Sequence, residues 1–228
     1  MMELREPDET LVDAVQARLR SDIINSVLPA GTRLRIDLLR KRYATGATPL
    51  REALSRLLVE GLVELSNGRG FRVPPLSYED LWDISRTRAL VEGAAAREAA
   101  ERADEAWEAS LVSAFHLLRR RAERNLADRA HRQAYYDAHH RFHEALLAGC
   151  ESPRLMEMQV RLERQHSRYY RQLPFERITG DDLIGEHQRL LDLALGHDGA
   201  ALEQTIRSHV MLTVGALGPE RFSAAFAA

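Results

Sequence analysis

The run Tyr43-Ala44-Thr45-Gly46-Ala47-Thr48-Pro49-Leu50-Arg51-Glu52-Ala53-Leu54 is the most informative stretch of this 228-residue chain. Ala44-Thr45-Gly46-Ala47 reads as a tight turn. Thr48 then has the chemistry of a helix N-cap, because its hydroxyl can accept from a free backbone N–H. Pro49 suits the first helical position, where a missing N–H costs nothing. Leu50, Leu54, Leu57 and Leu58 recur at helical spacing, so the helix is expected to run to about Glu60 and stop at Gly61.

The flanks extend this pattern. Upstream, Leu11, Val15, Leu19, Ile23 and Val27 form one apolar stripe ended by Leu28-Pro29-Ala30-Gly31. A short helix fits Asp37 to Tyr43, with Leu38 and Leu39 turned inward. Downstream, Leu62-Val63-Glu64-Leu65 and Phe71-Arg72-Val73 enclose the polar, glycine-rich Ser66-Asn67-Gly68-Arg69-Gly70, the signature of a β-hairpin. Helix, helix, turn, helix, hairpin is the order of a winged helix-turn-helix. Pro74-Pro75 closes it as a linker, since consecutive prolines stop strands and helices alike.

From Ser77 onward the pattern is helical. Helices are expected at about 77–102, 104–126, 130–148, 152–172, 179–196 and 199–216, separated by Asp104, Gly149–Pro153, Pro174, Gly180 and Gly196–Gly199. The fold class is therefore mainly α: a winged helix-turn-helix with a small β-hairpin over residues 1–75, and an all-α antiparallel bundle over 76–228.

Composition excludes several classes. At 45% hydrophobic residues the chain can form packed cores, which argues against wholesale disorder. It has no apolar run long enough for a transmembrane helix, and MMELREPDET lacks the features of a secretory signal. The single cysteine, Cys150, excludes an intrachain disulfide and fits a reducing, cytoplasmic setting. The net charge of −2 hides an asymmetry: Thr10–Val73 carries 11 Lys and Arg against 6 Asp and Glu, a net +5, leaving −7 elsewhere. A basic winged helix beside an acidic bundle points to nucleic acid at one end.

The third helix of a helix-turn-helix enters the major groove by its N-terminal end. Arg51 can donate twice to a guanine edge, and Thr48 can meet a phosphate or a thymine methyl. Arg56, further along the helix, suits a phosphate. Arg69 at the hairpin tip suits the minor groove, with Gly68 and Gly70 allowing close approach, and Arg35 and Arg40 can flank the backbone. Any one of these arginines taken alone is better explained by a solvated surface. The agreement of turn, hairpin and charge favours DNA.

The second half carries histidines in a telling arrangement. His139 and His143 share a helix face, next to Tyr135, Tyr136, Phe142, Leu146 and Leu147. His187 and His209 lie at equal sequence distance from Asp198 in the Gly196–Gly199 turn. In an antiparallel helix pair both therefore stand about 16 Å from the turn, at the same level. Four inward imidazoles are costly to bury unpaired, and a divalent metal removes that cost. An all-imidazole set suits Zn, Ni or a similar ion over Mg or Ca. His116, His131, His166 and His197 read as core or surface residues, and His140 can belong to either group.

The Tyr43–Leu54 run, with Leu28-Pro29-Ala30-Gly31 and Gly61-Leu62-Val63, resembles the signature of GntR-family bacterial regulators. The helical half is similar to the FCD domain of FadR-type members: Arg88-Ala89-Leu90-Val91-Glu92 looks like its opening motif, and Phe142-His143, Glu186-His187 and Ser208-His209 look like its metal positions. The resemblance implies a homodimer on a palindromic operator, Thr48 and Arg51 facing DNA, and a metal that helps hold a small carboxylate effector. Arg88 is the candidate partner for a second carboxylate, or alternatively the ion-pair partner of Glu92. The chain looks most like carbon-starvation repressors that answer to glutarate. It departs from relatives at Ala47, where many carry arginine, and at His139, where most carry aspartate.

Three functions follow. The first is a metal- and carboxylate-responsive transcription regulator, acting as a repressor. The second is a metalloenzyme acting on a small organic acid, against which stands the lack of an HExxH motif, a phosphate loop or an activated nucleophile. The third is a winged-helix interaction module with a structural metal.

Overall fold

The computed structural model describes residues 10–66, 70–172 and 180–226. They fall into two compact units. One comprises residues 10–66 and 70–77 together with Arg164–Gln172, and the other comprises Tyr78–Glu163 with residues 180–226.

In the first unit the elements run α1 (Leu11–Ile24), β1 (Arg33–Leu34), α2 (Ile36–Tyr43), α3 (Ala47–Val59), β2 (Glu64–Leu65) and β3 (Phe71–Arg72). Thr10 caps α1 through a reciprocal capping box with Asp13. The strands form one antiparallel sheet in the order β1-β3-β2, with Arg33 opposite Arg72 and Glu64 opposite Arg72 across the two ladders. The expected hairpin is thus joined by a third strand, whose two residues are too few to show alternation in sequence. Val15, Leu19, Ile23, Leu39, Tyr43, Leu50, Leu54, Leu57 and Leu62 make the core.

Several expectations are corrected. Helix α3 begins at Ala47 with Gly46 as its N-cap, so Thr48 is its second residue and Pro49 its third. Pro49 is tolerated there because the first turn's N–H groups have no intrahelical partner anyway. Leu38 is 56% exposed; the inward face of α2 is carried by Leu39 and Tyr43, four apart. Leu11 and Val27, the ends of the α1 stripe, are exposed. Ala44 ends α2 in the left-handed conformation at φ 49°.

Gly61 ends α3 at φ +75°, and a side chain there would also collide with the Gln165 amide, which donates to Glu60 O at 2.7 Å. Around the same point Glu60 accepts from Arg20 at 2.6 and 2.8 Å, from Gln16 at 2.6 Å and from Arg164 at 3.2 Å. Burial pulls the Glu60 carboxyl upward, but its bonds to Arg20 and the charges of Arg20 and Arg164 hold it below the usual carboxylate range.

The second unit holds α4 (Tyr78–Arg102), α5 (Glu105–Ala122), α6 (Arg129–Ala148), the first part of α7 (Pro153–Tyr170), α8 (Gly180–Leu195) and α9 (Gly199–Phe226). Helix α5 stops four residues short of the expected end, and α9 runs past the expected end, broken at Gly218-Pro219. Asp104 and Asp128 cap α5 and α6. Helix α4 lies along α9, and its buried Ala95, Ala96, Ala99 and Ala100 let the partner helix come close. Helix α5 packs on α6, and α8 packs on both α5 and α9. Among the described residues no helix is long and apolar enough to cross a membrane.

Candidate functional site

Helices α6, α8 and α9 bring His139, His143, His187 and His209 together, with one ring nitrogen from each lying within 4.8 Å of the others. Ring centroids are 4.7 Å apart for His139–His143, 4.8 Å for His139–His187 and 4.6 Å for His187–His209. His143, His187 and His209 are buried, and His139 is half-buried. The α8–α9 hairpin turns at Gly196–Asp198, which sets His187 beside His209. The second pair, His139 and His143, four residues apart, comes from the inward stripe of α6.

The donor set fits a metal ion. Neither ring nitrogen of His143, nor Nδ1 of His209, makes a hydrogen bond, although all three are buried. Buried polar atoms left this way are costly, and coordination would satisfy them. Burial, then the neighbouring imidazoles, then Arg88, push His139 and His143 well below the ordinary histidine range; burial, then His187 and Arg88, do the same for His209. Neutral imidazole is the form that offers a lone pair to a metal. Among the described residues no aspartate or glutamate joins this cluster.

Arg88 faces the same interior from α4. It is buried and donates from Nε and Nη2 to Glu92 Oε1 at 2.9 and 2.7 Å. The ion pair weighed from the i, i+4 spacing is therefore present. Sequence reading missed a second contact of Glu92: its Oε2 lies 3.9 Å from His143 Nδ1. A glutamate on the buried face of α4, one turn past Arg88, is the signal that could have shown it. His140 stays outside the cluster, 3.2 Å from Glu144 and 3.5 Å from Glu163. His166 is buried, His116 and His131 are exposed, and His197 is exposed and 3.1 Å from Glu108.

In the first unit Thr48 and Arg51 are exposed on α3, and Arg35 and Arg40 are exposed on α2 and at its N-cap. Arg56 is exposed too, but it pairs with Asp13 at 2.7 Å and Glu52 at 2.6 Å. Arg69 and Gly68 lie outside the described residues.

Residues 11–73 match the bacterial regulatory proteins of the gntR family, and residues 83–211 match the FCD domain. The chain belongs to the GntR family. It is 35% identical over 202 residues to an uncharacterized HTH-type transcriptional regulator, BphR, of Paraburkholderia xenovorans, covering 88% of this chain and 82% of that one. It is 33% identical over 201 residues to the HTH-type transcriptional repressor GlaR of Escherichia coli, covering 86% and 90%. E. coli McbR/YncC shares the fold at a TM-score of 0.75 and 22% identity, over 92% of this chain and 97% of that one. This GntR protein is a DNA-binding transcription regulator with an FCD domain, and its families are regulators rather than enzymes.

Proposed function

We propose that this GntR regulator is a repressor whose FCD domain holds one divalent transition metal ion, zinc above all, on His139, His143, His187 and His209. The convergence of four imidazoles from three helices, with both ring nitrogens of His143 and Nδ1 of His209 buried without hydrogen bonds, carries this reading. The bound ion would supply a Lewis-acidic seat for a small carboxylate, and Arg88 a bidentate partner for a second carboxylate once it leaves Glu92. Dicarboxylates such as glutarate are the effector class. His139 in place of an acid leaves the seat more positive, which favours anions.

DNA reading is assigned to residues 1–75 and sensing and dimerisation to 76–228. Arg51 reads a base edge, Thr48 and Arg35 hold the backbone, Arg69 borders the minor groove, and Arg56 meets a phosphate while tethered to Asp13 and Glu52. A homodimer in the cytoplasm would match two half-sites of a palindromic operator. Effector binding then changes the spacing of the paired α3 helices and weakens the complex.

The test has two arms. Purified chain is assayed for metal content and then screened by thermal shift with four- to six-carbon dicarboxylates, with and without a chelator. A ligand that binds the folded state raises its melting temperature by mass action. The expected result is about one ion per chain and a chelator-sensitive shift. The second arm is a gel shift on the protein's own promoter region, released by the same ligand. Metal-free protein that still responds to ligand would overturn the sensor reading.

A further inference from the structure

We infer that Glu92 is a positioning residue that decides which nitrogen of His143 can coordinate, holding the hydrogen on Nδ1 and leaving the Nε2 lone pair for the ion. This rests on the metal reading above. The Glu92 side chain is fully buried on α4. Its Oε1 takes both hydrogen bonds from Arg88. Its Oε2 accepts none and lies 3.9 Å from His143 Nδ1.

A neutral imidazole carries one N–H and one lone pair. If the hydrogen sat on Nε2, a Nδ1 lone pair would lie 3.9 Å from a buried carboxylate oxygen, which is repulsive. If it sits on Nδ1, the N–H lies near an oxygen that accepts no other hydrogen bond, and the Nε2 lone pair is left for the ion. The gap is about 1 Å longer than an N–H···O bond of about 2.9 Å. A coordinated ion makes the ring N–H a stronger donor, and the carboxylate in turn raises the basicity of the coordinating nitrogen. A second carboxylate, Glu186 Oε2, lies 3.8 Å from His209 Nδ1, but its side chain is 42% exposed. Water competes for it, so it serves as an internal comparison.

The primary experiment needs no substitution. Long-range 1H–15N spectra of full-length protein with 15N-labelled histidine report the tautomer of each ring, with and without added zinc. The expected outcome is a protonated Nδ1 and a bare Nε2 for His143 in metal-free protein, and a zinc-shifted Nε2 in loaded protein. A proton on Nε2, or zinc on Nδ1, overturns the inference. Zinc titration of Glu92→Gln should show affinity weakened about 10–100-fold with one ion per chain retained, against less than about 2-fold for Glu186→Gln. Should Glu92→Gln not fold, Glu92→Asp, which keeps the charge but withdraws it, tests the same point. If wild-type protein binds no zinc, the metal reading fails, while the metal-free tautomer still decides the role of Glu92. Tight zinc binding that is indifferent to Glu92 sinks this inference alone.

Discussion

His187 and His209 stand equally far in sequence from Asp198, and their rings meet edge to face with centroids 4.6 Å apart. The α8–α9 hairpin makes that meeting a matter of register, because residues equidistant from an antiparallel turn share a level. Shifting the register by inserting one alanine after Gln204, inside α9, would rotate His209 by about 100° around the helix relative to the turns before it, at 3.6 residues per turn. The expected outcome is protein that stays helical by circular dichroism and loses tight zinc binding in calorimetry. His209→Ala should weaken zinc by more than the about 10–100-fold expected for losing an outer-shell partner. Unchanged affinity in both variants would show that His209 is not a ligand.

Arg51 and Arg56 lie on the same exposed helix but differ in their partners. Arg56 is tied to Asp13 and Glu52, whereas among the described residues no ion pair engages Arg51. Arg51→Ala should cost about 1–3 kcal/mol on the operator, the value of a bidentate base contact, and little on random DNA. Arg56→Ala should cost less and do so equally on both. Fluorescence anisotropy at one fixed salt concentration measures all four numbers, and equal losses for Arg51→Ala on the two DNAs would refute base reading.

Glu60 gives the first unit a pH dependence with a definite sign. Its carboxyl sits lower in the folded chain than in the unfolded one, so the unfolded state takes up the proton first as pH falls. The stabilisation is fully present above the usual glutamate range near pH 4.5 and disappears as pH drops through the lower folded value. Glu60→Gln should destabilise by about 1.5–3 kcal/mol at neutral pH, the range for hydrogen bonds to charged groups. In urea unfolding series the gap between variant and wild type should close in acid; a constant gap would contradict the electrostatic account.

Leu54 is fully buried at the centre of the winged-helix core. Leu54→Ala removes packed methyl groups and leaves a cavity, for an expected loss of about 2–5 kcal/mol. Urea melts monitored by circular dichroism measure it, and DNA affinity at a temperature where the variant stays folded should change little. Leu38→Ala, on the exposed face of the neighbouring helix, should fall within about 0.5 kcal/mol of wild type.

Gly61 combines a left-handed φ with the close approach of Gln165. Gly61→Ala therefore meets both a backbone penalty and a displaced amide, and should destabilise by more than the about 1 kcal/mol that a left-handed alanine costs alone. Pairing it with Gln165→Ala should recover part of the loss in thermal melts. No recovery would mean that the backbone term accounts for all of it.

Periodicity placed the helices of both halves, because a 3.6-residue apolar repeat must bury its stripe, though it did not fix the ends of α3, α5 and α9. The turn chemistry around Gly46 and Gly61 settled the order of the winged helix, and equal spacing about Asp198 settled the level of two histidines. Other features needed the folded chain. The start of α3 moved to Ala47, since a cap is chosen by local backbone geometry that Gly46 offers as readily as Thr48. Leu38 turned outward because hydrophobic character does not say which side of a short helix meets the core. Glu92 came within reach of His143 only through the packing of α4 against α6, a contact between residues 51 positions apart that no local pattern encodes. Sequence determines which faces must be hidden; the tertiary structure decides which polar groups are hidden with them, because each buried charge must find a partner among neighbours that only the completed fold supplies.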